Sequence, residues 1–392
     1  MRVLVLAPHP FFQYRGTPIA VRLLCECLGR AGHQVDLATF HEGEDVDMAG
    51  VRIHRIPDLE RVSGIRPGFS LKKLRADRHL YRLAAGRLGR HSYDLIHAVE
   101  EAAFLARRLG RRFGVPYVYD MDSSLAAQMM ERFGWLKPLG VVMRWLEGRA
   151  IKDSAGVVAV CRELAQVARG YRDDLPVLRL EDISLLGVDS LRDDTPLEPL
   201  GVEGRLVMYV GNLEPYQGID LLLDAFALAA PQVPEARLVV VGGPAGVEAH
   251  QAQAARLGLA ERVHFVGPRP PGQLGQVLAQ ASVVVSPRVS GGNTPMKIYS
   301  YLDCGRPLLA TDLPTHTQVL DQEIALLVEP EPRAMAQGMV RLLRESELGR
   351  RLAAAASERV AAEFSLPVFE DKLRGFYQRL EARLAGGREK AP

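Results

Sequence analysis

SPRVSGGNTPMKIYSYLDCGRPLLATD, residues 286–312, runs from the end of an apolar segment through a glycine-bearing loop and an amphipathic segment to a second apolar run. The apolar run Val283 to Ser286 predicts a buried strand, Lys297 stands in the first turn of a helix, and Pro307 to Thr311 predicts the next strand. The loop between strand and helix carries Arg288, Gly291, Gly292, Asn293, Thr294 and Pro295. A loop of this kind leaves backbone N–H groups free at the helix start, where the helix dipole favours an anion. Its glycines let the backbone approach a ligand closely, and an arginine and a lysine stand beside them. The combination suits the diphosphate of a nucleotide.

Outward from that loop, short apolar runs alternate with amphipathic segments, which is the pattern of an α/β protein with parallel sheets. Val3 to Ala7 predicts the first strand, Ile19 to Ala31 a helix ended by Gly32, and Val35 to Phe40 the second strand. Further strands are expected at Val51 to Ile56, Leu95 to Ala98, Tyr117 to Tyr119 and Val157 to Val160. The pattern restarts after a polar, proline-bearing stretch, with strands at Leu206 to Val210, Leu238 to Val241, Val263 to Val266, Val283 to Ser286, Leu308 to Ala310 and Leu326 to Val328. The expected division is a first domain over 1–188, a linker over 189–204 and a second domain over 205–364. A chain of 392 residues fits two domains, since one domain takes on the order of 100–200 residues.

Composition narrows the function classes. Hydrophobic residues make up 47% and charged residues 24%, as in soluble globular proteins, and a net charge of +2 makes no case for nucleic acid. Cys25, Cys27, Cys161 and Cys304 have no metal-ligand spacing and are too few for a disulfide scaffold, so reduced thiols are expected. No apolar run is long enough for a membrane span, which points to a cytoplasmic protein. Between Arg61 and Arg90 nine basic residues face one acid, Asp77, and residues 133–145 hold Phe133, Trp135, Val141, Val142 and Trp145. These stretches, 61–90 and 133–145, either make peripheral contact with an anionic membrane surface or are a solvated basic helix beside a core-facing one.

Taken together, the segments resemble the family 4 glycosyltransferases, retaining enzymes of the GT-B fold. RVLVLAPHP, the RGTP loop, GHQVDLAT, DLIHA, LLGVDS, YVGNLEPYQGIDLLLDAF, VVVGG, RVHFVGP and EFSLPVFEDKLRGFYQRL carry the resemblance across nearly the whole chain, by their order and spacing rather than singly. It implies two Rossmann-like parallel-sheet domains facing a central cleft, the first binding the acceptor and the second a nucleotide sugar. It also implies a C-terminal helix over 365–384 that crosses back to the first domain, leaving 385–392 as a tail.

In the second domain Gly211, Asn212 and Gln217 follow a strand and precede a helix. Many relatives carry an arginine at the place of Asn212 and a lysine at that of Gln217, so this chain lacks both cations, and Arg288 and Lys297 are expected to compensate. Two glutamates usual near the donor are replaced by Gly292 and Ser300, the latter still offering a hydroxyl to a ribose. The resemblance further places backbone around Val266 and Gly267 beside the base. The phosphate cradle is then Arg288, Gly291, Gly292, Asn293, Thr294 and Lys297.

In the first domain Arg15, Gly16 and Thr17 follow the first strand, and the glycine permits close approach of a phosphate or sugar. His97, Glu100 and Glu101 follow DLIHA, and Asp120 and Asp122 follow PYVY. Asp122 either orients an acceptor hydroxyl, or acts as a base, or caps a helix with Ser123. His97 is either an acceptor contact or a structural hydrogen-bonder. Asp120-Met121-Asp122 matches a metal-binding string of a different glycosyltransferase fold, and the paired nucleotide-fold layout argues against that use. No metal or other cofactor is expected.

The expected function is transfer of a sugar from a nucleotide sugar to a hydroxyl of a glycan, lipid-linked or small-molecule acceptor, with retention, in a polysaccharide pathway or similar. Asp122, Lys297 and Arg288 are the expected catalytic groups. The alternatives are a non-catalytic scaffold of a polysaccharide pathway and a nucleotide-sugar epimerase.

Overall fold

The computed structural model describes residues 1–388 except 15, 59–70, 125–136, 192, 194, 196, 198–199 and 244–245. The chain divides into two compact units, Met1–Glu181 with the segment from Phe369 onward, and Asp182–Val368. In the first unit the strands are β1 (Arg2–Ala7), β2 (Gln34–Thr39), β3 (Val51–Arg55), β4 (Leu95–Val99), β5 (Tyr117–Met121), β6 (Gly156–Ala159) and β7 (Val177–Arg179). They form one parallel sheet in the order β3-β2-β1-β4-β5-β6-β7. The helices are α1 (Gly16–Arg30), α2 (Leu71–Arg90), α3 (Ala102–Phe113), α4 (Lys137–Lys152) and α5 (Arg162–Tyr171).

The second unit holds β8 (Arg205–Val210), β9 (Ala236–Val241), β10 (Val263–Phe265), β11 (Val283–Ser286), β12 (Leu308–Thr311) and β13 (Leu326–Val328), again parallel, in the order β10-β9-β8-β11-β12-β13. Its helices are α6 (Ile219–Ala229), α7 (Val247–Arg256), α8 (Leu274–Leu278), α9 (Lys297–Asp303), α10 (Pro314–Thr317), α11 (Pro332–Arg344) and α12 (Ser346–Glu363). The alternation of its strands shows why they are apolar throughout. Val207, Tyr209, Leu238, Val240, Val283 and Val285 pack into the core on one face, and Leu206, Met208, Val239, Val241 and Val284 into that on the other. A parallel sheet covered on both faces needs apolar residues at successive positions.

In each sheet the order reverses beside the first strand, between β1 and β4 and between β8 and β11. Ligands of open α/β sheets gather at the carboxyl ends of the strands at such a reversal. The last helix, α13 (Leu366–Arg388), buries Phe369, Leu373, Phe376, Tyr377 and Leu380, and from Phe369 it belongs to the first unit. Gly156 in β6 admits it: a Cβ there would lie 2.9 Å from the Phe376 ring. Ion pairs Lys372–Glu181 at 3.2 Å and Arg383–Asp174 at 2.8 Å fasten the helix along its length.

Three features differ from the sequence reading. Residues 189–204 lie inside the second unit, where the Asp193 N–H donates to the Gly272 carbonyl at 3.1 Å and the Leu197 N–H to Gln276 Oε1 at 2.9 Å. Helix α13 continues past Leu384 to Arg388, so residues 385–388 are helical. Strand β7 has no counterpart among the expected strands, because its apolar pair Val177 and Leu178 is closed in by Pro176 and Arg179.

Candidate active site

In the second unit the loops after β8, β9 and β10 lie side by side, and glycine makes that possible. The Gly211 N–H donates to the Val241 carbonyl at 2.9 Å, and the Gly242 N–H to the Gly267 carbonyl at 3.1 Å. A Cβ on Gly242 would fall 1.8 Å from the Gly211 carbonyl oxygen, and all three glycines have positive φ. Gly242 was legible in the sequence as part of VVVGG, but its close approach depends on Gly211. Val266 is half-buried, its N–H bonded to the Val240 carbonyl at 3.2 Å.

Asn212 is exposed, its carbonyl accepting the Tyr209 hydroxyl at 2.5 Å. A 3-10 turn over Pro215–Gln217 then leads into Gly218, at φ 74°, and α6. A Cβ on Gly218 would stand 2.0 Å from the Pro287 carbonyl oxygen, so the glycine lets the turn after β8 lie against the segment after β11. That segment starts the loop the sequence singled out.

Arg288 is 8% exposed, and its Nη1 donates to the Asn293 carbonyl and to Thr315 Oγ1, both at 2.8 Å. Its guanidinium carbon lies 5.0 Å from the centre of the Tyr216 ring, and its Nε has no hydrogen-bond partner. Gly291, at φ 130°, leaves room for the guanidinium, since a Cβ there would come within 2.9 Å of it. The Gly292 carbonyl accepts from Gln318 Nε2 at 2.9 Å, and the buried Thr294 hydroxyl has no partner.

Lys297 lies 3.9 Å above the Tyr209 ring, and its Nζ donates to Gln217 Oε1 at 3.0 Å. Burial, with the Arg288 charge second, holds this ammonium well below the usual lysine range. Beneath them, His316 is buried with Nε2 2.9 Å from Ser286 Oγ and Nδ1 2.8 Å from the Thr311 carbonyl. A carbonyl only accepts, so Nδ1 carries the proton and Nε2 accepts from Ser286. Burial, only partly opposed by the Thr311 carbonyl, pulls its pKa down to about 4, and the ring is neutral. Tyr209, Tyr216 and Thr315 escaped the sequence reading because residues of those types in a strand, a turn and a short helix pass as packing.

Ser300 needs a correction. It is fully buried in α9, and its Oγ accepts the Leu185 N–H at 3.1 Å. Its hydroxyl is committed to the interior rather than offered to a ribose.

In the first unit the expected acceptor residues gather at the ends of β1, β4 and β5. Gly16 begins α1 and is exposed, with nothing within 4 Å of the position of a Cβ, and Thr17 is half-buried. Arg15 lies outside the described residues. His97 is fully buried, with Nδ1 2.8 Å from the Tyr377 hydroxyl and Nε2 3.1 Å from Asp120 Oδ2. Both ring nitrogens are therefore taken, and His97 is a structural link between the sheet and α13 rather than an acceptor contact.

Asp120 and Asp122 are half-buried at the end of β5. Glu100, held at φ 48°, takes its N–H to the Asp120 carbonyl at 2.8 Å and accepts from Ser123 Oγ at 3.5 Å. Burial and then the Glu101 charge push Glu100 up to about 7, while Lys73, paired with Glu101, pulls the other way. Among the described residues no group of three or more His, Cys, Asp or Glu side chains is arranged to hold a metal ion.

Comparison with known proteins joins these halves. Residues 15–177 match the family described as glycosyl transferase 4-like domain, and residues 204–345 that described as glycosyl transferases group 1. The chain is similar to the alpha-D-kanosaminyltransferase of Streptomyces kanamyceticus, at 26% identity over 71% of this chain and 74% of that protein. It is also similar to the D-inositol 3-phosphate glycosyltransferase of Corynebacterium efficiens, at 28% identity over 89% of this chain and 87% of the relative. Among solved structures, the sucrose-phosphate synthase of Thermosynechococcus elongatus has the same fold, with a TM-score of 0.74 and 20% identity over 97% of this chain and 99% of that one. So does Anabaena HepE, solved with UDP and glucose, with a TM-score of 0.72 and 17% identity over 97% of this chain and 100% of that one.

Proposed function

The chain belongs to the family 4 glycosyltransferases of GT-B fold and is a glycosyltransferase, and from that premise we propose that it uses a nucleotide diphosphate sugar, without a metal, and retains the anomeric configuration. The observation that carries this reading is the pair Arg288 and Lys297. Two cations stand together at the carboxyl end of β11, and every hydrogen-bond partner described for their side chains is neutral. Cations held this way are suited to a dianion, and they are worth most where charge develops on a leaving group.

In the proposed reaction the bond from the anomeric carbon to the diphosphate oxygen breaks, and its electron pair leaves with the nucleotide. The acceptor oxygen bonds to the same face of that carbon, and its proton passes to a donor phosphate oxygen. Lys297 and Arg288 stabilise the departing charge, and Asp122 orients the acceptor hydroxyl. Relatives and structural neighbours support the donor class: HepE was solved with UDP and glucose.

The test is turnover of UDP-, GDP- and ADP-sugars, with the anomeric configuration of the product read by NMR. Lys297→Ala should lower kcat by roughly 10²–10³, the usual cost of one charge-stabilising donor. Full activity in that variant, or inverted product, overturns the mechanism.

We also propose that the first unit, working in the cytoplasm, touches an anionic membrane surface. Helix α2 exposes Lys72, Arg75, Arg78 and Arg82, and α4 exposes Val141, Val142 and Trp145 beside Arg144 and Arg149. Residues 61–70 and 133–136 of the two stretches lie outside the described residues, and no described helix is long and apolar enough to cross a membrane. Cosedimentation with vesicles containing phosphatidylglycerol, lost in Arg75→Glu/Arg78→Glu, is the expected result. Equal sedimentation of the variant, or none by the native chain, refutes it.

A further inference from the structure

Lys297 is held by a residue whose chemistry is unusual at its place. Gln217 is 6% exposed and closes the 3-10 turn, with its N–H bonded to the Glu214 carbonyl at 2.8 Å. Its Oε1 stands 3.0 Å from the Lys297 Nζ, which also lies 3.9 Å from the centre of the Tyr209 ring. Gly211 leaves space on a third side, since a Cβ there would lie 3.2 Å from the Nζ. The ammonium is thus held by two groups, neither of which carries a formal negative charge.

We propose that Gln217 is a positioning residue for Lys297, a neutral acceptor that fixes the ammonium and leaves its charge for the donor phosphate. The inference rests on the reading of this loop as the donor cradle. A carboxylate in the same place would locate Lys297 equally well and neutralise it before a nucleotide arrived. A glutamine gives the same reach and the same oxygen without the charge.

The charged and titratable groups around Lys297 agree with that role. Arg288 comes from the loop after β11, Tyr209 from β8, Tyr216 from the 3-10 turn, and His316 from α10. Burial, with the Arg288 charge second, disfavours the ammonium, and among the described residues no carboxylate opposes them. His316 is neutral near pH 7. A phosphate is the anion this arrangement lacks.

The test is calorimetric titration of the full chain with UDP, GDP and ADP between pH 6.5 and 9.5, for the native protein and for Gln217→Glu, Gln217→Met and Lys297→Ala. The native protein should bind one nucleotide with an affinity that declines as Lys297 loses its proton. Gln217→Glu should weaken binding by up to about a thousandfold near neutrality, the worth of a unit charge about 4 Å away at an effective dielectric of about 20. It should also move the alkaline decline to higher pH. Gln217→Met keeps the bulk and removes the acceptor, and should weaken binding and move the decline to lower pH.

A merely structural role for Gln217 would leave the pH profile of Gln217→Met like the native one, so that variant carries the distinction. If Lys297→Ala loses binding while Gln217→Glu and Gln217→Met match the native protein in affinity and pH profile, the inference is wrong and the donor reading survives. If Lys297→Ala binds like the native protein, or no nucleotide binds, the donor reading falls and takes the inference with it. Should the glutamate variant fail to fold, as judged by its melting curve, the pH profile of Gln217→Met decides alone.

Discussion

Gly218→Ala perturbs both the stability of the second unit and its donor loop, because one missing Cβ lets two segments meet. The residue has φ 74°, and its added methyl would lie 2.0 Å from the Pro287 carbonyl oxygen and 3.1 Å from Val289 Cγ1. Left-handed backbone costs an alanine roughly 1–2 kcal/mol. A carbon–oxygen approach of 2.0 Å cannot persist, and relieving it by backbone movement adds about 1–3 kcal/mol by analogy with overpacked cores. The sum is roughly 2–5 kcal/mol, which at about 2–4 °C per kcal/mol for a unit of this size lowers its melting temperature by roughly 4–20 °C. The movement must displace Pro287 or the turn, and Arg288 follows Pro287 directly, so nucleotide affinity should fall in the folded variant as well. Differential scanning calorimetry and nucleotide titration below the transition measure the two effects. Gly292→Ala is the control for stability, since no atom lies within 4 Å of its Cβ position and its φ is not positive. Melting of Gly218→Ala within 2 °C of the native protein would refute the packing argument.

Three further outcomes follow from the ionised and hydrogen-bonded groups. His316 has a folded pKa of about 4 against 6.5 for the free side chain, so its contribution is complete above pH 6.5 and is lost as the pH falls toward 4, at up to about 1.4 kcal/mol per unit. Hydrogen exchange of the β11 amides should show this acid limb, and His316→Gln should flatten it. Asp36 accepts from Tyr93 at 2.7 Å, His54 at 2.8 Å and Arg2 at 2.9 Å; burial acts to raise its pKa, but these bonds outweigh burial and hold it well below the usual carboxylate range. Its stabilisation is present above the unfolded value near 4 and lost as the pH falls through the folded value, and Asp36→Asn should cost the first unit roughly 2–4 kcal/mol by urea unfolding at neutral pH, allowing for the partly exposed arginines. Tyr377→Phe leaves His97 Nδ1 without its partner and should cost about 1–2 kcal/mol, with nucleotide affinity unchanged by calorimetry.

Most strands were legible because they are near-continuous apolar runs bounded by polar or glycine residues, as a covered parallel sheet demands, whereas β7, Val-Leu-Arg, was not. The loop that holds the two cations was conspicuous from local chemistry, since Arg288, the glycines and Lys297 fall within a dozen residues. Contacts between distant residues were not. His97 looks like a strand-end ligand, and only the fold brings Tyr377, 280 residues away, to its ring. Ser300 looks like a substitute for a ribose contact, and its true partner, Leu185, lies 115 residues upstream. Tyr209 and Tyr216 read as a core residue and a turn residue because nothing local marks the cations that lie against their rings.

Those rings bear on how a site short of two usual cations can still hold a dianion. A cation can be fixed by a carboxylate, which cancels its charge, or by an aromatic face and neutral oxygens, which do not. Both cations here are fixed in the second way, Lys297 by Tyr209 and Gln217, Arg288 by Tyr216, Asn293 and Thr315. The resemblance places Gly292 and Ser300 where two glutamates are usual, and neither residue brings a negative charge to the neighbourhood. On the proposed reading, two cations and two carboxylates were lost together, so the formal charge facing the phosphates is little changed. What shifts is its distribution: the positive charge that remains is gathered at Lys297 and Arg288. Restoring one glutamate alone should therefore weaken nucleotide binding, whereas restoring a cation at Asn212, which is exposed and carries no charge of its own, should strengthen it.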